Sequence, residues 1–468
     1  MKITLGVQMN SYLLKLKPST AVLLSIITVF ILGVTMIKLG WVPQISILLV
    51  VITLLLFGLV NKIPFKDMQE GMAKGLMSGI GAIYLFFFIG LLVSALMMSG
   101  AIPTLMYYGL TSISPEFFYI SAFALSSITG VALGSSLTTT ATIGVAFIGM
   151  GSAFGADPAI VAGAVVSGAF FGDKMSPLSD TTAIAASTVS IDMFAHIRNM
   201  MYTTIPAWIL TAIFLWLLTE PADVYDFANI ENLKTNLQAT GLIHGYSLLP
   251  FATLILMAIK RVNSIYIIVT TVVLSLIITY THSSPSLEQL GSYFFTGYKP
   301  AENLNLGEVA SLISRGGISS MFFTISIVVL ALSLGGLLQA LGVLPALLEG
   351  IKGFLTSTGR VTLVVASTAV GINVLIGEQY LSLLLSGNTF RSTYERLGLE
   401  PKNLSRTLED AGTVINPLVP WSVCGVFISS VLNVSVIDYL PYAFFCYLCL
   451  ILTLIFGFTG VTISKKAN

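Results

Sequence analysis

The chain has 468 residues, 55% of them hydrophobic and only 9% charged. A soluble domain carries about a quarter charged residues, so this composition excludes a soluble globular protein and defines an integral membrane protein. A net charge of +1 gives no electrostatic footprint for nucleic acid, and three cysteines, Cys424, Cys446 and Cys449, are too few for a disulfide framework.

The first apolar runs, 19–37 and 41–60, reach the roughly 20 residues that cross a bilayer. The first is too long for a signal-peptide core, and no small-residue cleavage site precedes the second, so no cleaved signal is expected. An amphipathic approach, 65–79, leads to helix 80–99. A hairpin is predicted over 116–152 with its tip near Gly130–Ser136, then a broken helix over 157–191 and a closing helix over 200–219. The series resumes with 244–259 and 263–281, an external amphipathic stretch 286–316, and helix 318–341. A second hairpin (360–392), a second broken helix (401–433) and a closing helix (439–460) complete it. The expected fold is all-α and membrane-integral, with ten crossings, two re-entrant hairpins, and broken helices at the midplane.

The second half restates the first. Gly100 and Pro103 match Gly342 and Pro345; further on, Gly134 meets Gly377, Gly144 meets Gly387, Asp173 meets Asn416, Pro177 meets Pro420 and Ser179 meets Ser422. Glycines and prolines in one register fix backbone shape, which sets them apart from chance identities. Repeat one is therefore placed at 1–243 and repeat two at 244–468. Charge orients them. Lys15, Lys17, Lys62, Lys66 and Lys74 flank the first helix pair and mark the cytoplasmic side. The acidic stretch with Glu220, Asp223, Asp226 and Glu231 falls outside. Lys260, Arg261, Lys352, Arg360, Arg391 and Lys465 fall inside, provided both hairpins enter and leave on one side; Lys299 and Arg315 are outside exceptions. The two repeats then run in opposite directions, with both termini cytoplasmic. Inverted repeats with broken helices at the midplane are the build of secondary transporters.

Chemistry concentrates at the first break. Gly172-Asp-Lys-Met-Ser-Pro-Leu-Ser-Asp-Thr-Thr182 sets three charges inside an apolar stretch. A charged side chain at membrane depth costs about 3 kcal/mol or more, so such a cluster implies function. Asp173 and Asp180 can bind a sodium-type cation or a proton; alternatively they cap the second half-helix or pair with Lys174. Lys174 itself is a counter-ion, a substrate-carboxylate anchor or a snorkelling side chain. Ser176, Ser179, Thr181 and Thr182 are potential ligands that also have helix carbonyls to bond. At the hairpin tips stand Ser135, Ser136 and Thr138, and opposite them Asn373, Glu378 and Gln379, which must find partners because lipid supplies none. Glu378 is a second proton or sodium candidate, or a structural bond at the tip. Arg406 and Asp410, four apart on a helix, are expected to pair. Asp157-Pro158 and Glu400-Pro401 read as helix starts with an acidic cap. His196, His244 and His282 fall at predicted membrane edges. Cys446 and Cys449, in an apolar run, read as buried thiols. No P-loop, HExxH or GxSxG is present, so neither an enzyme nor a cofactor is expected. A channel needs a continuous polar pathway, whereas these polar groups gather at one depth.

The stretch from Gly172 to Thr182 resembles the signature of the NhaC family of sodium/proton antiporters. Leu399-Glu-Pro-Lys-Asn-Leu-Ser-Arg-Thr-Leu-Glu-Asp-Ala-Gly-Thr-Val-Ile-Asn-Pro-Leu-Val-Pro-Trp-Ser-Val-Cys-Gly425 and Gly377-Glu-Gln-Tyr380 resemble further stretches of that family. The resemblance covers nearly the whole chain. Within the family, length and general pattern look nearest to a bacillary branch that takes up malate with protons and releases lactate with sodium. The resemblance implies a plasma-membrane antiporter with an elevator-like moving core, often dimeric, whose partners are sodium, protons and small carboxylates. It places Asp173, Asp180, Glu378 and Asn416 at the ion site; Ser176 and Thr181 are further candidates there from their own hydroxyl chemistry. With hairpin tips and helix breaks lining the site, Lys174, Ser135, Ser136, Thr138, Asn373 and Gln379 are the candidates for a carboxylate site. Asn416, where a second aspartate would restore symmetry, makes the two halves chemically unequal.

Overall fold

The computed structural model describes residues 12–219, 227–301, 304, 306–350 and 356–466. Glu220, Asp223, Asp226 and Lys352, used above for orientation, lie outside the described residues. Among those described, the chain is helical, and its extended pairing is one antiparallel bridge between Leu399 and Lys465.

The first half opens with α1 (Pro18–Lys38), α2 (Pro43–Val60), amphipathic α3 (Phe65–Ser78), α4 (Ile80–Met98) and α5 (Ala101–Ser112). A hairpin follows, α6 (Pro115–Leu133) and α7 (Ser136–Phe154). Next come α8 (Pro158–Met175) and α9 (Asp180–Thr188), bent by 47° at their break, and α10 (Met193–Leu217). α11 (Phe227–Ala239) ends the first half, and the second holds α12 (Gly245–Ile259), α13 (Ser264–His282), α14 (Leu287–Thr296), α15 (Glu308–Ile313), α16 (Ile318–Ala340) and α17 (Val343–Gly350). It ends with the hairpin α18 (Thr358–Ile376) and α19 (Gln379–Arg396) and two bent pairs. These are α20 (Pro401–Leu418) with α21 (Val423–Leu432), at 44°, and α22 (Val436–Tyr442) with α23 (Phe444–Thr459), at 57°. Among the described residues, 9 helices are long and apolar enough to cross a membrane, or up to 12 if each bent pair is one span. The protein is a multi-pass membrane protein.

Local chemistry explains the boundaries. Proline opens α1, α2, α8 and α20, where its missing N–H costs nothing. Asp157 caps α8 by accepting from the Ala159 N–H at 2.8 Å. Glu400 stands at the matching position before α20 but does not cap it, because its carboxylate is drawn 2.6 Å from Lys402. Outer faces are apolar at helical spacing: Val22, Ile26 and Phe30 on α1, Ile45, Leu49, Ile52 and Leu56 on α2, and Tyr266, Val269, Val273 and Ile277 on α13 are exposed. Such faces suit lipid, which cannot satisfy polar groups.

Close helix approaches depend on missing side chains. α6 and α8 meet through Gly130 and Gly172, where a Cβ on Gly172 would lie 2.2 Å from the Gly130 carbonyl carbon. α3 crosses α16 at Gly75 and Gly336, whose added Cβ atoms would fall within 3 Å of the facing backbone. α1 packs on α17, and α13 packs on α4, so the first helices of each half lie on elements of the other. Positions paired by sequence have similar backbones: Gly100 and Gly342 have φ of 77° and 79°, and Gly134 and Gly377 of 65° and 75°.

Some expectations need correction. α5, α11 and α17 are helices where none was expected. α10 begins at Met193 rather than near 200, because the Asp192 carboxylate caps it through the Ala195 N–H at 3.0 Å. The final span is not one straight helix but bends at Ala443. The Arg315 guanidinium, one of the two outside exceptions, donates to the Val431 carbonyl at 3.3 Å, at the C-terminal end of α21, where a cation is favoured.

Gly172→Ala is expected to lower the thermal unfolding midpoint of the detergent-purified protein, by an overpacking cost of about 1–3 kcal/mol. Gly81→Ala, with nothing within 4 Å of the added Cβ, is the control expected to leave the midpoint unchanged.

Candidate functional site

The turn between α6 and α7 and the break between α8 and α9 meet inside the bundle. Gly134 ends α6 in the left-handed conformation, and its backbone lies so close to the break that an added Cβ would sit 2.6 Å from the Leu178 Cβ. Ser135 caps the next helix, taking bonds from the Thr138 N–H at 3.3 Å and the Thr138 hydroxyl at 3.1 Å. Ser136, now at the helix start, points its hydroxyl at the Asp173 carboxylate.

Asp173 joins the two elements. One oxygen accepts from the Ser136 hydroxyl at 2.6 Å and the Ser136 N–H at 3.3 Å; the other accepts from the Ser179 hydroxyl at 2.5 Å. Ser179 caps α9, and its hydroxyl lies 2.9 Å from that of Thr181. The Thr182 hydroxyl returns to the carbonyls of Asp173 and Lys174, both at 3.2 Å, satisfying groups the break frees. Ser176 closes the break, accepting from the Leu178 N–H at 3.2 Å, instead of facing Asp173. The result is a buried cluster of carboxylate and hydroxyl oxygens across a tip and a break. Hydroxyls that now donate to Asp173 can turn a lone pair toward a cation, and hard oxygens are the ligands such an ion prefers. Asp180, by contrast, is exposed, in the first turn of α9.

The second break is built alike from neutral groups. The Asn416 amide donates to the Asn373 side-chain oxygen at 2.9 Å and the Gly377 carbonyl at 3.2 Å, while its oxygen accepts from the Cys424 N–H at 3.0 Å. The Asn373 amide donates to the Gly412 carbonyl at 2.6 Å. Ser422 caps α21, and the Trp421 indole donates to the Val374 carbonyl at 2.6 Å, fastening the tip to the break. Glu378 caps α19 through the Leu381 N–H at 2.7 Å; the side-chain oxygen of the buried Gln379 has no hydrogen-bond partner among the described residues.

Asp173, Asp180 and Glu378 all lie within electrostatic reach of the Tyr380 hydroxyl. Tyr380 closes the Gly377–Tyr380 motif. Asn373 and Asn416 form a separate neutral cluster.

Lys174 points away from Asp173. It is fully buried and forms an ion pair with Asp410, also donating to the Thr203 hydroxyl at 3.3 Å. The other Asp410 oxygen accepts from the Thr453 hydroxyl at 2.6 Å. The expected Arg406–Asp410 pair does not form. A π-turn over Glu409–Thr413 rotates Asp410 off the Arg406 face, and Arg406 instead donates to the Thr462 hydroxyl at 3.0 Å. His196, in the first turn of α10, is buried and within electrostatic reach of Lys174. Cys446 and Cys449 are free buried thiols.

These features define a helical membrane protein with a buried charged site between a hairpin tip and a helix break. The model of the Na+/H+ antiporter family matches residues 2–192 and 168–461, and the chain belongs to that family. It is 39% identical over 429 residues to the Na(+)/H(+) antiporter NhaC of Alkalihalophilus pseudofirmus, covering 91% of this chain and 92% of that one. It is also 39% identical over 425 residues to NhaC of Bacillus subtilis, covering 89% and 92%. Identity to the Malate-2H(+)/Na(+)-lactate antiporter of Bacillus subtilis is 34% over 419 residues, 88% of each chain. The sequence expectation of greatest likeness to the malate/lactate branch thus gives way to the two NhaC proteins, which are more similar.

Asp410→Asn leaves Lys174 buried without a counter-charge, an expected loss of about 3–5 kcal/mol in stability. Adding Lys174→Met is expected to recover much of that loss, as read by a double-mutant cycle of detergent unfolding midpoints.

Proposed function

We propose that this protein exchanges sodium for protons across the plasma membrane, with sodium held at the Asp173 cluster. The observation that carries the reading is the carboxylate of Asp173, bonded to Ser136 of a hairpin tip and Ser179 of a helix break, in a chain of this family. Ser136, Ser179 and Thr181 are the neighbouring oxygens, and Asp180 is exposed one residue beyond Ser179. The likeness of the two NhaC proteins supports the exchange.

The two halves are read as inverted repeats, 1–243 and 244–468, with both termini cytoplasmic. Similar φ at paired glycines and similar bends of 47° and 44° support this. Both hairpins and both broken helices form a core that moves, elevator-like, against the first helix pairs and α16. Apolar grooves of about 510 and 750 Å³ run between α1 and α18, open toward the outer face that carries Val22, Ile26 and Phe30.

A second reading, malate and protons inward against lactate and sodium outward, draws on the 34% identical relative. A carboxylate substrate needs a cation or several donors. Lys174 is committed to Asp410, which leaves Ser135, Thr138, Asn373 and Gln379, so the plain exchange is favoured.

In proteoliposomes holding a pH dye, an imposed sodium gradient is expected to move protons at full rate without malate or lactate. A requirement for either acid would favour the second reading; no proton movement with or without them would contradict both.

A further inference from the structure

Glu409 takes no part in the site described so far. It lies on the π-turn of α20, wholly buried, and among the described residues neither carboxylate oxygen has a hydrogen-bond partner. The Thr413 hydroxyl is near enough to act on it but is itself without a bond. Lys174, the nearby cation, is taken by the adjacent Asp410. A bare ionised carboxylate in such a place costs several kcal/mol, so Glu409 there holds a proton.

The charged groups acting on Glu409 are few. Asp173 and Lys174 come from α8 and Asp410 from its own turn. α18 and α19 pack on this turn at Ala411 and Gly412, where they bring Asn373, Ser382 and Leu383, which are uncharged. Cys449 of α23 and His196 of α10 lie around Lys174, and Asp173, Asp180 and Glu378 all act electrostatically on Tyr380. Asp173 acts on Glu409 through space without bonding to it.

We propose that Glu409 is the proton-carrying carboxyl of the exchange, separate from the sodium-binding Asp173. A sodium ion entering the Asp173 cluster adds one positive charge and removes the repulsion Asp173 exerts on an ionised Glu409. Glu409 then releases its proton to water, and its carboxylate takes the negative charge, so the net charge of the buried core is unchanged. When sodium leaves, the proton returns. Sodium and proton thus exclude each other through charge instead of competing for one carboxylate. The proposal rests on the sodium/proton reading above.

The test measures sodium binding and proton release together on the detergent-purified full chain, using radioactive sodium and a pH dye. The wild type is expected to release protons as sodium binds. Glu409→Gln is expected to keep sodium affinity within about threefold, lose proton release by about tenfold or more, and show a flattened pH dependence of sodium affinity. Proton release equal to wild type in Glu409→Gln, or loss of sodium binding by a folded variant, overturns the assignment. No sodium binding by the wild type overturns the underlying reading with it. If Glu409→Gln does not fold, infrared difference spectra of the wild type decide: sodium must bleach the carbonyl band of a protonated carboxyl, and its persistence overturns the proposal.

Discussion

The bond from the Asp173 carboxylate to the hairpin tip is the interaction on which the rest depends. A helix that breaks inside a bilayer exposes N–H and C=O groups that lipid cannot satisfy, each at a cost of several kcal/mol. Here the tip of α6 and α7 fills the gap. Ser136 donates hydroxyl and amide to Asp173, Ser179 caps α9, and Thr182 returns to the carbonyls left behind. The glycines that let α6 lie against α8 serve the same end, since with a Cβ at Gly172 the tip would not seat. Polar residues, small residues and the break are one construction.

The second break shows what the charge adds. Asn416 and Asn373 hold it with neutral bonds, and Ser422 caps α21 as Ser179 caps α9. A carboxylate is not required to build a break of this kind. It stands at one break and not the other, which concentrates negative charge where a cation would be bound. The buried Lys174–Asp410 pair then ties the two broken helices together, with Thr203 of α10 and Thr453 of α23 in support. Its weight is that of a clamp: breaking it strands a charge, although forming it adds little over an apolar contact.

Much of this was legible in the sequence, for stated reasons. Proline and glycine fix backbone shape, so the hairpin turns and breaks stood out from Gly134, Gly377, Pro177 and Pro420. The Gly172–Thr182 cluster stood out because its charges are costly in an apolar run. What escaped depends on contacts distant in sequence or on helix register. Lys174 and Asp410 are far apart along the chain, and only the folded bundle shows that they pair. The π-turn at Glu409–Thr413 has no sequence mark, and it alone separates Arg406 from Asp410. Short α5 and α17 carry too few residues to register as spans. Tyr380 and Glu409 were visible within quoted motifs, but nothing local marked either for a role.

The central claim is that sodium binds at Asp173. Equilibrium binding of radioactive sodium to purified Asp173→Asn, beside the wild type, tests it most directly. The account predicts saturable binding by the wild type, weakened as pH falls, and none by a folded Asp173→Asn. Unchanged sodium affinity in that variant would contradict it.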